Sequence, residues 1–573
     1  GALADEAQAA SLKAAEDAMA RCKAGQVAYR GLTGGENAQG YLERAYLCRT
    51  DGSAQPYFVR LPADYDPAKR YPLVVFLHGY VPETSKIYPW VLPPQQWKMA
   101  ADRQMILVLP HGRRNSDFLG IGEVDVLRVI EEMQRFYSID ADRIHMTGSS
   151  MGGYGAWALA LRHPSLFAAL SPMAGQSDFF LWEKRDRAET AYKTWCVGQN
   201  NPIDLIGNAR WLPTFVQHGA LDTLVPTAHS QLIVPAERKL GYDVTYKEYE
   251  GQGHYIYWED PPFEAMFDFV KTKVRPSAPP RVTFRTYTPR CGQAYWLDVR
   301  GLTSFGQPAD IDATVDAVKL SLTCANVAEL YFDPPAALGG AQPLAVTVNG
   351  KAAGALPAGP ARLTLAADGT PSLSAGAPPA ERPLVGPARE VFNDAFMAVV
   401  ATGGDEARQA LNMARGRRFQ AYWRAFAEGW PPLVLDASLT EAMVRSHNLV
   451  ILGEPGTVKL PGIAEPAKMV PAGITMEPGS YRVGAHTYTG EQVGMFLLTP
   501  HPLRPQGLVL WCSGVEYGKS LPVNHQWDLV PDLLVYEDRA DWDGTSAYLA
   551  GGFLGPSWQL DLKHLDLREQ TLR

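Results

Sequence analysis

A pentapeptide of the form Gly-x-Ser-x-Gly constrains this chain of 573 residues more than any other feature. It runs from Gly148 to Gly152 between a strand-like segment and a helix-like one. A sharp strand-to-helix turn needs small residues on both sides of its central residue, because the backbone there is strained and closely packed. Such a turn lifts one hydroxyl out of the sheet edge and directs the first helical amides towards the same point. The pentapeptide therefore predicts that Ser150, and not the neighbouring Ser149, is a nucleophile.

An acid and a base follow the pentapeptide in loops that suit a hydrolytic site. The strand-like residues 213–218 lead through a glycine turn to Asp222. The alternating residues 244–249 lead into a Gly-Gln-Gly loop that ends at His254. A serine, a histidine and a carboxylate can together form a nucleophile, a general base and a group that orients the base. We therefore expect Ser150, His254 and Asp222 to be the catalytic residues.

Other residues compete for two of these roles. His218 and His229 are alternative bases, but His218 falls inside a strand-to-turn step and His229 in a predicted helix. If Asp222 is not the acid, the next candidates are Asp204, Glu259 and Asp260.

The chain order of serine, acid and histidine resembles that of the α/β-hydrolase superfamily. Residues 55–275 resemble the secreted esterases grouped with polyhydroxybutyrate depolymerases and feruloyl esterases, and also the catalytic domain of the prolyl oligopeptidase family. The matching pieces are a His-Gly turn, the serine pentapeptide, the His-Gly-Ala-Leu-Asp acid loop and the Gly-Gln-Gly-His loop. The resemblance implies an α/β fold, in which a mostly parallel sheet is covered by helices on both faces.

The resemblance also implies an oxyanion hole and a reaction that needs no cofactor. The backbone amide of Met151 would supply one donor, and an amide after the His78-Gly79 turn, that of Tyr80, would supply the other. We expect no metal site, because the sequence has no Cys-x-x-Cys pair and no His/Cys cluster at zinc spacing.

Aromatic residues follow each of the loops that carry these groups. Such side chains are typical of a pocket for a flat or apolar acyl group, or for a sugar ring. The residues predicted to contact substrate are Trp90, Trp182, Tyr255 and Trp258.

Shifts in composition divide the chain into four regions. A Pro/Ala/Ser stretch near residue 276 reads as a linker, and a second Ala/Pro/Gly-rich stretch follows at 376–382. Beyond the first linker, short strands predict a small β-sandwich, and beyond the second a smaller α/β domain. The predicted regions are an N-terminal helical arm (1–50), an α/β-hydrolase domain (51–275), a β-sandwich (281–375) and a C-terminal α/β domain (383–573).

Net charge and cysteine content limit the classes of binding partner and bear on the cellular compartment. The net charge of −8 argues against a nucleic-acid or anionic-membrane partner, and no apolar run is long enough to span a membrane. Ala2-Leu3-Ala4 fits a signal-peptidase site, so we expect a secreted or periplasmic protein. The six cysteines then allow disulfides, with Cys22–Cys48 and Cys291–Cys324 as the local candidates.

These features predict a serine carboxylic ester hydrolase that works through an acyl-enzyme intermediate. Acetyl or feruloyl esters of a polysaccharide are the candidate substrates. Two alternatives stay open: a prolyl oligopeptidase-like serine peptidase, and a non-catalytic carbohydrate-binding protein. In oligopeptidases an extra domain precedes the catalytic one, whereas here the extra domains follow it, which favours the esterase. The sequence does not determine the oligomeric state.

Overall fold

The computed structural model describes residues 41–81, 92–189, 192–316, 318–338 and 344–570. Its first sheet has eight strands in the order β1-β2-β4-β3-β5-β6-β7-β8. These are β1 (Leu42–Leu47), β2 (Ala54–Arg60), β3 (Tyr71–Leu77), β4 (Ile106–Pro110), β5 (Ile139–Ser149), β6 (Ala169–Met173), β7 (Thr214–Gly219) and β8 (Val244–Tyr249). The six strands from β4 to β8 in that order are parallel, while β1 and β2 pair antiparallel at one edge. The predicted α/β fold with a mostly parallel sheet is therefore confirmed.

Helices cover this sheet because its central strands are apolar on both faces. Every residue of β3, β4 and β6 is buried, as continuous apolar runs in parallel sheets require. The helices of this part of the chain are α1 (Pro94–Asp102), α2 (Ile121–Phe136), α3 (Met151–Arg162), α4 (Phe179–Glu183), α5 (Lys193–Gly198), α6 (Pro202–Leu205), α7 (Ala228–Lys239) and α8 (Asp260–Val270).

The predicted helical arm over residues 1–50 needs correction where the structure describes it. Residues 42–47 form strand β1, which pairs with β2 from Leu42 opposite Val59 to Leu47 opposite Ala54. The alternation of buried and exposed side chains in β1 fits an edge strand with one covered face. Residues 1–40 lie outside the described residues, and the predicted arm there with them.

Two five-stranded sheets follow between residues 281 and 375. Their orders are β10-β11-β14-β17-β18 and β16-β15-β13-β12-β9. The strands are β9 (Arg281–Thr286), β10 (Gln293–Ala294), β11 (Leu297–Leu302), β12 (Ala309–Val315), β13 (Lys319–Ala325), β14 (Val327–Phe332), β15 (Ala345–Val348), β16 (Lys351–Ala355), β17 (Ala361–Leu365) and β18 (Pro371–Ala375). Asn349 and Gly350 make the tight turn between β15 and β16, with φ of 50° and 77°, as an Asn-Gly hairpin requires.

A second eight-stranded sheet occupies the rest of the chain, in the order β20-β19-β21-β26-β25-β27-β28-β29. Its strands are β19 (Phe396–Val400), β20 (Leu433–Leu435), β21 (Asn448–Leu452), β25 (Val493–Pro500), β26 (Leu508–Gly514), β27 (Leu533–Ala540), β28 (Ser546–Gly552) and β29 (Leu565–Leu567). The first four in that order are parallel and the rest pair antiparallel. It carries α9 (Glu406–Ala427) and α10 (Glu441–Ser446), and a three-stranded sheet of β22 (Ile474–Glu477), β23 (Ser480–Val483) and β24 (His486–Thr489) lies beside it.

A buried ion pair joins the first sheet to the C-terminal part of the chain. Arg113 and Asp51 have fully buried side chains and lie 2.9 Å apart. The Arg113 guanidinium also donates to the carbonyl of Ala427 at 2.7 Å, and the Trp423 indole donates to Asp51 at 2.8 Å. One apolar cluster likewise runs from β1 to Phe553. The four predicted regions are thus packed together, and their division into separate domains stays a prediction.

The five cysteines that the structure describes are free and buried: Cys48, Cys196, Cys291, Cys324 and Cys512. The predicted Cys291–Cys324 disulfide is therefore wrong. The Cys291 sulfur instead accepts a hydrogen bond from Arg162 at 3.0 Å. Cys22, the predicted partner of Cys48, lies outside the described residues. Every helix in the described ranges is too short or too polar to traverse a lipid bilayer.

Candidate active site

Ser150 sits in a strained turn between β5 and α3. Its φ is 58°, in the left-handed region that non-glycine residues rarely adopt. A Cβ on Gly152 would lie 2.0 Å from the carbonyl oxygen of Leu77, and one on Gly148 would lie 2.3 Å from that of Gly152. The two glycines are therefore required by close backbone contacts, as the pentapeptide predicts.

The structure brings Ser150, His254 and Asp222 into one hydrogen-bonded chain. His254 Nε2 lies 2.8 Å from Ser150 Oγ, and His254 Nδ1 lies 2.7 Å from Asp222 Oδ2. Because the carboxylate can only accept, Nδ1 carries the proton and the lone pair of Nε2 faces the serine hydroxyl. The imidazole is thereby oriented to take the serine proton.

Asp222 is held as a carboxylate by several donors. Its Oδ1 accepts the amides of Leu224 and Val225, each at 2.9 Å. Burial alone would raise the pKa of Asp222, but hydrogen bonds from His218, His254 and the Val225 amide hold it well below its ordinary range. The group therefore stays charged while it orients His254.

His218 supports the acid and is not the base. Its Nε2 lies 3.2 Å from Asp222 Oδ2 and 2.8 Å from the Val225 carbonyl, and its Nδ1 lies 2.7 Å from Ser230 Oγ. Both ring nitrogens are engaged and the ring is fully buried, so it cannot reach a substrate. Sequence reasoning missed this supporting role, although the spacing of four residues from Asp222 across a tight turn is a signal for it.

The other competing residues have other contacts or positions in the fold. His229 Nδ1 accepts the Ser177 amide at 3.2 Å. Asp204 pairs with Arg187 at 2.6 Å. Glu259 and Asp260 stand at the start of α8.

The turn after β3 lies against the serine. A Cβ on Gly79 would come within 3.4 Å of Ser150 Cβ, so the chain passes Ser150 just before Tyr80. Asn115 holds the next residue, accepting the Val81 amide at 3.0 Å and donating to the Val81 carbonyl at 2.9 Å. Sequence reasoning missed Asn115, which is 34 residues away and carries no motif.

Met151 is the residue predicted to supply the other oxyanion donor. It is the first residue of α3 and follows Ser150 directly. The first amides of a helix have no partner within it, and their N–H groups project from its N-terminal end. The Met151 amide is therefore available on the side of the turn where Ser150 lies.

Aromatic side chains surround His254 on one side. The Tyr255 ring lies 5.4 Å from the imidazole, and the Trp258 ring lies 6.1 Å from Tyr255. Both are more than half exposed. Trp182 lies 6.1 Å from the His229 ring, on α4. Trp90 lies outside the described residues.

Tyr257 is an aromatic neighbour that sequence reasoning did not single out for the site. It is buried, and its ring lies 5.9 Å from His254. Its hydroxyl would meet a Cβ on Gly79 at 3.8 Å. The only signal in the sequence is its position three residues after His254.

Glu123, His163 and Cys291 place three possible metal-ligand atoms within 4.8 Å of one another. Two guanidinium groups contact the same carboxylate, Arg162 at 3.3 Å and Arg290 at 2.8 Å. Burial would raise the pKa of Cys291, but these arginines lower it to about 7. Because two fixed cations already neutralise the donors, the cluster does not fit a metal ion and instead joins α2 and α3 to the residues before β10.

Part of the chain matches a known family. Residues 122–275 match the sequence model of the prolyl oligopeptidase family. The chain is 24% identical over 244 residues to a dipeptidyl-peptidase 5 of Porphyromonas gingivalis, which covers 37% of this chain and 35% of that protein. The match thus spans about a third of the relative's length. The expected resemblance is confirmed for this part of the chain, which is a serine-hydrolase domain of α/β-hydrolase type.

Both peptidases and esterases occur among similar solved structures. The acylaminoacyl peptidase of Pyrococcus horikoshii is 18% identical, with a TM-score of 0.33, over 41% of this chain and 42% of that one. A thermostable esterase is 23% identical, with a TM-score of 0.31, over 41% of this chain and 64% of that one.

Proposed function

We propose that the protein is a serine peptidase that cleaves its substrate through an acyl-enzyme intermediate on Ser150. The observation that carries the proposal is the unbroken chain of hydrogen bonds from Ser150 through His254 to Asp222. The family match of residues 122–275 supports a peptide as the substrate. This reverses the preference for an esterase that the position of the extra domains suggested.

In the proposed mechanism, Ser150 Oγ attacks the scissile carbonyl carbon while His254 Nε2 takes the hydroxyl proton. Asp222 stabilises the imidazolium that forms. The oxyanion accepts from the amides of Met151 and Tyr80, and such donors contribute about 3 kcal/mol each to the transition state. His254 then gives the proton to the leaving amine, and water hydrolyses the acyl-enzyme by the same steps in reverse.

Ester hydrolysis is the second candidate. The observation that favours it is the exposed aromatic surface beside His254, where Tyr80, Tyr255 and Trp258 are each more than half exposed. Such a surface suits an apolar acyl or alkoxy group. Selectivity for acetyl or feruloyl esters of a polysaccharide stays a prediction.

Matched substrates separate the two candidates. The measurement is kcat/KM for a dipeptide 4-nitroanilide and for the 4-nitrophenyl ester of the same dipeptide, with Ser150→Ala as the background. A peptidase should cleave the anilide with kcat/KM of about 10⁴ M⁻¹ s⁻¹ or more. Turnover of the ester alone would replace the peptidase with an esterase. Absence of both activities, together with no labelling by a fluorophosphonate, would favour the non-catalytic carbohydrate-binding alternative.

A further inference from the structure

A pocket opens at the carboxyl ends of β21 and β26 in the second eight-stranded sheet. Its empty volume is about 580 Å³, with the open solvent at its mouth included. Leu452, Cys512 and Ser513 line it from the two strands, and α9 covers one side with Phe419. Ligands of open α/β sheets bind at this edge, outside the carboxyl ends of the parallel strands.

The walls of the pocket are mostly apolar and aromatic. They include Phe419, Phe496, Tyr517, Trp527 and Tyr536. The Phe496 ring lies 5.4 Å from Trp527 and 5.2 Å from Tyr536, so the rings form a continuous surface. A ligand that fills this volume therefore needs an apolar body, and a flat one fits best.

Arg415 brings a positive charge to this apolar pocket. Its side chain is half-buried, and its guanidinium donates to Asn412 Oδ1 at 3.3 Å. Among the described residues no carboxylate lies within 4.0 Å of it. Burial lowers the pKa of Arg415, and the more distant Glu454 offsets this only in part. A guanidinium in such a place gains from an anionic partner, and a carboxylate matches its fork of donors.

The acids near the pocket are already engaged. Glu516 pairs with Arg418 and accepts the Tyr422 hydroxyl at 2.8 Å. Glu454 accepts the Ser513 hydroxyl at 2.5 Å and contacts Arg408 at 3.4 Å. Arg415 is thus a guanidinium at the pocket that has no carboxylate within ion-pair distance among the described residues.

We propose that this pocket binds a small carboxylate with an aromatic body, of the arylalkanoate class. The carboxylate would pair with Arg415, and the ring would lie against Phe496 and Trp527. The proposal rests on the pocket alone and does not depend on the peptidase assignment.

Calorimetric titration of the full chain tests the proposal, with phenylacetate, 3-phenylpropionate and 4-phenylbutyrate as probes. We expect the best of the three to bind with a Kd of about 1 mM or tighter. Arg415→Gln should weaken that binding by about tenfold or more, because a hydrogen-bonded charge is lost. Arg415→Lys should retain part of the affinity. The matched control is Arg417→Gln, which removes an exposed arginine from the same helix.

The outcomes are distinct. Equal binding by the wild type and Arg415→Gln would place the carboxylate elsewhere, for example beside Ser150, and would overturn the proposal. If the neutral amide 4-phenylbutyramide binds as tightly as 4-phenylbutyrate, the proposal is also overturned. The same holds if a neutral oligosaccharide binds and none of the three carboxylates does. Thermal unfolding of each variant shows that a loss of binding is not a loss of fold.

Discussion

Each eight-stranded sheet has a serine at or just beyond the carboxyl end of a central strand, but among the described residues only the serine of the first sheet meets a histidine. Ser150 follows β5 in a left-handed turn that leads into α3, and its hydroxyl meets His254. Ser513 stays within β26, buried, and its hydroxyl donates to Glu454 and lies 2.8 Å from the Tyr481 hydroxyl. Of these two serines, only Ser150 lies in a turn outside its strand and faces an imidazole, as a nucleophilic serine requires. Ser513 instead lines the apolar pocket in which we propose that a carboxylate binds.

The most severe test of this contrast is Ser150→Ala. We expect kcat to fall by about a millionfold, because the nucleophile is lost and only the oxyanion hole remains. Labelling by a fluorophosphonate should vanish with it, and peptide mapping of the labelled wild type should find the adduct on Ser150. Ser149→Ala is the control, since that side chain is buried and its hydroxyl has no hydrogen-bond partner among the described residues. An adduct on Ser513 would break the comparison.

Asp222→Asn tests the role of the carboxylate that holds His254 beside Ser150. The amide can donate to His254 and so favour the wrong tautomer, which should lower kcat by about 10⁴-fold with little change in KM. Because the pKa of Asp222 lies below its ordinary range, the wild-type carboxylate stays ionised at mildly acidic pH. Any loss of wild-type activity between pH 5 and 7 must then come from another group. A near-normal kcat for Asp222→Asn, measured on the anilide, would require a different acid.

Arg113→Met tests whether the two sheets are independent. It leaves Asp51 buried without its cation, which should lower the free energy of unfolding by about 3 to 5 kcal/mol. Urea unfolding followed by tryptophan fluorescence measures the change. Arg135→Met, at an exposed position on α2, should change it by less than about 0.5 kcal/mol. Equal effects from both variants would show that the buried pair does not join the sheets.

Glu454→Gln gives the smallest expected effect. The amide oxygen can still accept from Ser513, but the charge that faces Arg408 is lost. We expect the free energy of unfolding to fall by about 1 kcal/mol, measured by the same urea titration. A fall of more than 4 kcal/mol would mean that the Ser513–Glu454 pair is the main support of its sheet edge, which would make the two edges more alike than their hydrogen bonds suggest.

The residues of the site that the sequence predicts are those that lie in short local motifs. Gly148 and Gly152 identify Ser150 because the turn needs glycine on both sides of it. Asp222 and His254 each lie in a glycine-containing loop that follows a strand. The α/β architecture follows from continuous apolar strands alternating with helices. These patterns depend on neighbours a few residues apart, so they are visible without coordinates.

What sequence could not predict depends on contacts between distant segments. Asn115 meets Val81 across 34 residues, and Glu454 meets Ser513 across 59, with no spacing rule to connect them. The sequence predicts a helical arm over residues 1–50, whereas residues 42–47 form strand β1. Their extended conformation depends on pairing with β2, which local sequence does not reveal. The sequence motifs also do not distinguish an esterase from a peptidase, because both use the same triad.

The hydrogen bond from Arg113 to the Ala427 carbonyl spans 314 residues. During synthesis, at roughly 5 to 20 residues per second, about 15 to 60 seconds separate the appearance of these two partners. Throughout that interval Arg113 and Asp51 lack the Ala427 carbonyl and the Trp423 indole that complete their hydrogen bonds. These hydrogen bonds therefore form only after the chain has been made as far as Ala427, long after the last strand of the first sheet.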